Sequence, residues 1–114
     1  MTRREHRVKF TSNVALLLMY GNEKPGWEVA LHYAFRSREE QWRLFNAGAS
    51  QTKQGQHPEG LAADVLLYIN GVYQEDSAAY EPLGRFWECM DTLNEWGGRW
   101  ESFQDGGHFQ RNER

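Results

Sequence analysis

With one cysteine in 114 residues, the chain cannot form an internal disulfide or a cysteine-rich zinc site. Basic residues are not in excess: 13 Lys and Arg stand against 16 Asp and Glu, giving a net charge of -3 and a pI near 5.8. No basic stripe is available to displace counterions from phosphates, which argues against nucleic acid as a partner. Long apolar runs are missing as well. The run from Val14 to Tyr20 is far shorter than the ~20 residues needed to span a bilayer. It follows Arg3, Arg4, Arg7 and Lys9 and so imitates a secretory leader. Gly21-Asn22-Glu23-Lys24, however, stands where a small-x-small cleavage site would be expected. The run reads as a buried first helix, and the chain as one made in the cytoplasm without a clear signal peptide. Any export would need another route.

No internal repeat, low-complexity segment or linker interrupts the chain, and its length fits a single domain over residues 1–114. What it does contain is a normal share of core material, 39% hydrophobic and 14% aromatic residues with five Trp. The charged share of 25% is that of a globular protein rather than a disordered one.

Residues 11–20 read as a helix opened by Thr11, Ser12 or Asn13 and closed by Gly21. "WEVALHYAF" then alternates as a strand, with Val29, Leu31, Tyr33 and Phe35 on one face. Ser37-Arg38-Glu39-Glu40 forms a capping box for a helix through Phe45 that ends at Gly48. A long polar, glycine-rich loop from Gly48 to Gly60 follows, the kind of segment that carries binding residues. In "LAADVLLYINGVYQ" the Asn70-Gly71 pair predicts a tight hairpin, with one strand over about 62 to 69 and its return from 72. Tyr80, Leu83, Phe86, Trp87, Met90 and Leu93 recur at helical spacing, and Cys89 rides on that helix as a packed or half-exposed thiol. Gly97-Gly98 ends the segment, and "RWESF" and "HFQ" read as short closing strands. The sum is an α+β domain, about three helices on a small, mostly antiparallel sheet.

The chemistry-bearing residues gather in two stretches. "GQHPEGLAAD" sets His57 and Asp64 on either side of a kinked loop, and "DGGHF" supplies Asp105 and His108. Two histidines and an aspartate can hold one zinc tetrahedrally, leaving the fourth position to water. A spare carboxylate nearby can act as general base, and a turn through Gly106-Gly107 could bring Asp105 there. No HExxH helix is present, so the zincin arrangement is excluded.

The order of blocks resembles the M15 family of zinc peptidases, which cut bacterial cell-wall peptides. The family pattern is Arg-Ser before a helix carrying Glu-Gln, a Gly-x-Ser, S-x-H-x-x-G-x-A-x-D, and finally D/E-x-x-H. This chain has "FRSREEQ" at 35–41, "GAS" at 48–50, "HPEGLAAD" at 57–64 and "DGGHF" at 105–109. The tail "WGGRWESFQDGGHF" is especially similar to endolysin-type L-alanyl-D-glutamate endopeptidases. The resemblance implies that His57, Asp64 and His108 bind one zinc per chain, with Asp105 as the catalytic carboxylate. It makes Arg36, set between a strand and the Ser37 cap, the stabiliser of the developing oxyanion, a contribution of typically ~3 kcal/mol. Gln41 and Ser50 would orient the loop. Gly55 stands where the family usually has Ser, and Arg99 where the endolysin type often has Asp. His6 and His32 match nothing in the pattern, and His32 reads as a surface residue.

The implied function is hydrolysis of peptidoglycan stem peptides at the cell wall or in the periplasm, by a monomer with no transmembrane segment. The L-Ala-D-Glu bond is preferred to the terminal D-Ala-D-Ala bond of the carboxypeptidase branch. A non-catalytic zinc module would need neither Asp105 nor Arg36. An iron(II) oxygenase would place His-x-Asp on one strand of a larger β-barrel, which this spacing does not do.

Overall fold

A computed structural model describes residues 1–33 and 61–112. The expected helix from Ser37, the loop to Gly60, and with them Arg36, Gln41, Ser50, Gly55 and His57, lie outside the described residues.

Helix α1 spans Arg3–Asn22, beginning eight residues before the expected Thr11. Its cap is Thr2, whose hydroxyl accepts the Glu5 N–H at 3.1 Å while Glu5 Oε1 accepts the Thr2 N–H at 2.7 Å. Thr11, instead of capping, donates its hydroxyl to Arg7 O one turn back. The early start was hidden because the first buried position is a polar residue, His6, followed by Phe10, Val14 and Leu17 on the same face. Gly21 lies inside the helix rather than beyond it. Asn22 then ties the helix end to the sheet by exchanging two hydrogen bonds with the Val29 backbone.

Strand β1 is Trp27–Tyr33, β2 Ala62–Ile69, β3 Val72–Tyr73, β4 Asn94–Trp96 and β5 His108–Arg111. Helix α2 is Glu81–Met90, preceded by a 3-10 turn at Ser77–Tyr80, and a second such turn covers Gly97–Arg99. Among the described residues there are thus two α-helices and one five-stranded sheet. Its order is β1-β2-β5-β4, with β3 paired to β2 and every pairing antiparallel. The hairpin forms where expected: Asn70 (φ 52°) and Gly71 (φ 81°) both take the left-handed conformation of a tight turn.

Three expectations need correction. The register of β1 shifts between Leu31 and Tyr33, so His32 is an extra residue and Tyr33 comes opposite Asp64. Leu31, before the shift, still lies opposite Val65 but is 46% exposed, so the expected apolar face of β1 is buried at Val29 and not at Leu31. Helix α2 stops at Met90, short of Leu93, because Asp91 turns extended and its carboxylate accepts the Leu93 N–H. "RWESF" is not a strand: its first residue closes a 3-10 turn, and residues 101–103 bend, with Phe103 at φ 55°. The strand beside β5 is Asn94–Trp96, polar enough to have escaped an apolar pattern.

Both helices cover the same face of the sheet. Trp87 of α2 packs edge-on against Phe10 of α1 and Phe109 of β5, and its indole N–H reaches Gln110 O at 3.0 Å. Val65, Leu67 and Phe109 point into this core, while the alternate positions Asp64 and His108 sit on the opposite face. None of the described helices is long and apolar enough to cross a membrane.

Candidate metal centre

The pleat makes the site's first contact. Asp64 and His108 are directly opposed on β2 and β5, so their side chains leave the sheet on the same side. His108 Nδ1 lies 3.2 Å from Asp64 Oδ1, and the side chains are only 12% and 17% exposed. Asp105 joins them from the loop before β5. One ligand atom each from Asp64, Asp105 and His108 lies within 4.8 Å of the others. Three of the five residues expected at the site are therefore brought together across 44 positions of sequence. His57 and Arg36 fall outside the described residues.

The donor chemistry fits a divalent cation. The outer nitrogen of His108, Nε2, lies 2.8 Å from Gln110 Oε1, an oxygen that can only accept. With its proton placed there, the neutral ring directs the Nδ1 lone pair at a carboxylate oxygen. Two acceptors face each other, an arrangement relieved by a proton or a metal ion between them. Burial pulls the imidazole pKa down, but the hydrogen bonds to Asp64 and Gln110 and the charges of Asp64 and Asp105 outweigh it. The net shift is upward, as expected of a ring in a site built for a cation. His with one carboxylate, Nδ1 inward and the other N–H held by an amide, suits zinc.

Residues that the sequence reading passed over hold the Asp105–His108 loop in place. Gly106 is gripped at both ends: its N–H donates to Ser77 Oγ at 2.9 Å, and its carbonyl accepts the Trp96 indole N–H at 2.7 Å. Asp105 N–H reaches Gly97 O at 3.0 Å, and Val65 N–H reaches Gly107 O at 2.8 Å. Both loop glycines are required by closeness. A Cβ on Gly106 would sit 2.6 Å from Ser77 Cα, and one on Gly107 2.7 Å from Val65 O. The two adjacent glycines of "DGGHF" were the available sequence signal; the partner Ser77 left none.

Beside the three residues opens a cleft of about 250 Å³, lined among others by His32, Tyr73, Glu75, Ser77 and Gln104. The extra residue in β1 places His32 here, exposed and outside the metal-donor group, in keeping with the surface role expected of it. Tyr80 forms part of the wall. Its phenol accepts the Leu67 N–H and donates to Gln74 O, and burial pushes its pKa up to about 12, so it stays protonated.

The remaining singled-out residues belong to the framework. Buried His6 accepts from Arg111 Nε at 3.1 Å, and Arg99 reaches Glu88 at 2.6 Å on the outer side of α2. Cys89 is exposed.

The sequence profile of a peptidase family, M15_4, described as D-alanyl-D-alanine carboxypeptidase, matches residues 48–111, which include Asp64, Asp105 and His108. The chain is 32% identical over 108 residues to the L-alanyl-D-glutamate peptidase of Listeria phage A118, covering 90% of this chain. It spans 37% of the length of that relative. The crystal structure of the L-Ala D-Glu endopeptidase ChiX of Serratia marcescens is similar at a TM-score of 0.73. The sequences are 28% identical there, over 90% of this chain and 77% of that one. With more than half of its residues inside the family profile, the chain belongs to the M15_4 peptidases.

Proposed function

We propose that this chain is a zinc-dependent peptidase that hydrolyses the L-alanyl-D-glutamate bond of peptidoglycan stem peptides at the cell wall. The observation that carries the reading is the grouping of Asp64, Asp105 and His108 at the edge of an open cleft. The names of the phage and Serratia relatives supply the substrate class. In this reading His57, Asp64 and His108 hold one zinc ion. Zinc, when bound, is a Lewis acid that makes water nucleophilic near neutral pH. Asp105 accepts the proton of the attacking water and passes it to the leaving amine. In the same reading Arg36 is the residue that stabilises the negative charge developing on the scissile carbonyl.

The choice of an endopeptidase over a carboxypeptidase draws support from the cleft walls. A carboxypeptidase must receive a free terminal carboxylate, which calls for a placed cation or a nest of N–H groups. The described lining residues include the carboxylates of Asp64, Glu75 and Asp105 and no Lys or Arg. A terminal carboxylate would find no placed cation among them.

Digestion of purified peptidoglycan with chemical labelling of new amino termini tests the choice. D-Glu termini are expected. Release of free D-Ala without them would assign the chain to the carboxypeptidase branch, and no cleavage with zinc bound would mark a non-catalytic zinc module.

A further inference from the structure

His108 can serve a cation at Nδ1 only if its proton sits on Nε2, and a circle of side chains behind the ring controls that choice. His108 Nε2 meets Gln110 Oε1 at 2.8 Å, and Gln110 Nε2 donates to Asn112 Oδ1 at 2.7 Å. Asn112 Nδ2 donates in turn to Glu95 Oε1 at 2.8 Å. The other oxygen of Glu95 accepts the Trp100 indole N–H at 2.5 Å, and the Trp100 ring returns to His108 with centroids 5.0 Å apart. The pleat explains why these groups meet: His108 and Gln110 alternate onto one face of β5, and Glu95 of β4 lies directly opposite Gln110.

A carboxamide has one donating and one accepting end, so a row of amides transmits direction without setting it. The ends of the row decide. Glu95 as a carboxylate can only accept, so Asn112 must present its NH2 to it and its oxygen to Gln110. Gln110 must then present its NH2 to Asn112 and its oxygen to His108. At Nε2 the ring can then bond only as a donor, while Nδ1 faces the Asp64 carboxylate at 3.2 Å, so the row opposes the Nδ1–H form that Asp64 alone would hold. The indole N–H, a donor with no accepting atom, fills the second oxygen of Glu95 and keeps it from rotating.

We infer that Glu95, through Asn112 and Gln110, is a positioning residue that biases His108 towards the Nε2–H tautomer, the form that leaves Nδ1 open to a cation. The consequence for metal binding rests on the zinc reading above; the tautomer itself does not. Supports of this kind behind a metal-bound histidine are worth roughly 10- to 100-fold in metal affinity.

The test uses the full chain. Long-range proton–nitrogen correlation spectra of the metal-free protein, at a pH where His108 is neutral, report the tautomer directly. Zinc affinity is measured by competition with a chelating dye. In Glu95→Gln the new amide gives its oxygen to the Trp100 N–H and turns its NH2 to Asn112, which reverses the row. The Nε2–H share should then fall below that of the wild type, and zinc should bind roughly tenfold more weakly. Adding Gln110→Glu to that variant puts an acceptor-only group next to the ring and should restore both readouts. Should Glu95→Gln fail to fold, Asn112→Ala interrupts the same path with Glu95 and Trp100 intact. A tautomer share and a zinc affinity unchanged in the interrupted variants would overturn the inference. A share that falls in the variants of a chain with no zinc affinity would remove the metal reading and leave the relay standing.

Discussion

Replacing Gly106 by alanine tests how tightly the loop carrying Asp105 and His108 is held. The backbone at Gly106 lies outside the left-handed region, so alanine is conformationally acceptable and the effect is steric. The new Cβ would fall 2.6 Å from Ser77 Cα, 2.9 Å from its Cβ and 3.0 Å from its carbonyl oxygen. Carbon atoms settle at about 3.5–4.0 Å, so the two segments must part by roughly 1 Å. Overfilling of this kind costs about 1–3 kcal/mol. Parting also strains the hydrogen bonds from Gly106 N–H to Ser77 and from Trp96 to Gly106 O, each worth about 1 kcal/mol. The sum is roughly 2–4 kcal/mol, or a midpoint lowered by about 8–16 °C at ~4 °C per kcal/mol. Displacement of Asp105 by a similar distance would lower the rate roughly 100-fold. Thermal denaturation and wall-lysis turbidity measure the two effects. Gly71→Ala is the control: nothing lies within 4 Å and only the left-handed φ of 81° opposes it. It should lose about 1–2 kcal/mol with lysis unchanged. A Gly106→Ala protein with wild-type midpoint and lysis would show that Ser77 does not confine the loop.

His108→Ala should abolish stoichiometric zinc and remove the zinc-dependent part of the thermal midpoint, since metal held only by the folded state stabilises that state. Full zinc by elemental analysis would refute its assignment as a ligand. Asp105→Asn should keep zinc and fold but lose roughly 100- to 10,000-fold in turnover, because an amide cannot take the water's proton. Near-normal wall lysis by that variant would dismiss Asp105 as the base. Asp91→Asn should destabilise the protein at neutral pH by about 2–3 kcal/mol, less than the 3–5 typical of a fully buried pair because solvent reaches Asp91. It lies 2.8 Å from Arg111, which is 1% exposed. The Leu93 N–H and then Arg111 hold its carboxyl below the usual range. Its contribution is therefore present above the unfolded value of about 3.9 and fades as pH falls through the lower folded one. Denaturant midpoints of wild type and variant should converge only below about pH 4, and convergence at neutral pH would contradict the pairing.

The elements legible in the sequence were those whose cause is local. Asn70-Gly71 dictates its turn whatever surrounds it, and the spacing of Leu83, Trp87 and their neighbours marks the buried face of α2. Where the cause is distant, the pattern misleads. His6 looks like part of a polar leader until Arg111, 105 residues away, is found bonded to it in the core. That buried contact anchors the first turn of α1 in the core, while the Thr2–Glu5 capping box sets where the helix starts. Asn94 likewise reads as a loop residue. In the fold its amide donates to Trp87 O and Asn13 Oδ1 while its backbone pairs with Arg111, so a three-residue strand forms with little apolar content. "RWESF" also read as a short strand, but β5 already has β2 and β4 as its neighbours, so neither edge of β5 is free for it.

The site divides along the same line. Asp64, Asp105 and His108 were expected together because the order of motif blocks resembles that of a zinc-peptidase family, and the fold does bring the three side chains together. Their setting depends on a gap in the sheet that no local pattern encodes. β3 and β5 pair with opposite ends of the same edge of β2, and neither covers Val65 to Leu67. An open edge inside a sheet would ordinarily leave backbone groups unpaired. Here Val65 N–H bonds Gly107 O, Leu67 N–H bonds the Tyr80 phenol, and Leu67 O accepts from Gln74 N–H. The gap is thereby satisfied without being closed by a strand. The cleft occupies that opening, and the residues that satisfy the edge, Gly107 and Tyr80, are also its walls. A protonated Tyr80 is needed for this, because only a phenol with its hydrogen can accept from Leu67 and still donate to Gln74. Tyr80→Phe would leave the Leu67 N–H and the Gln74 carbonyl without their partner. The substitution should therefore weaken the cleft wall while leaving Asp64 and His108 paired, which faster amide exchange confined to Leu67 and its hairpin partners would reveal.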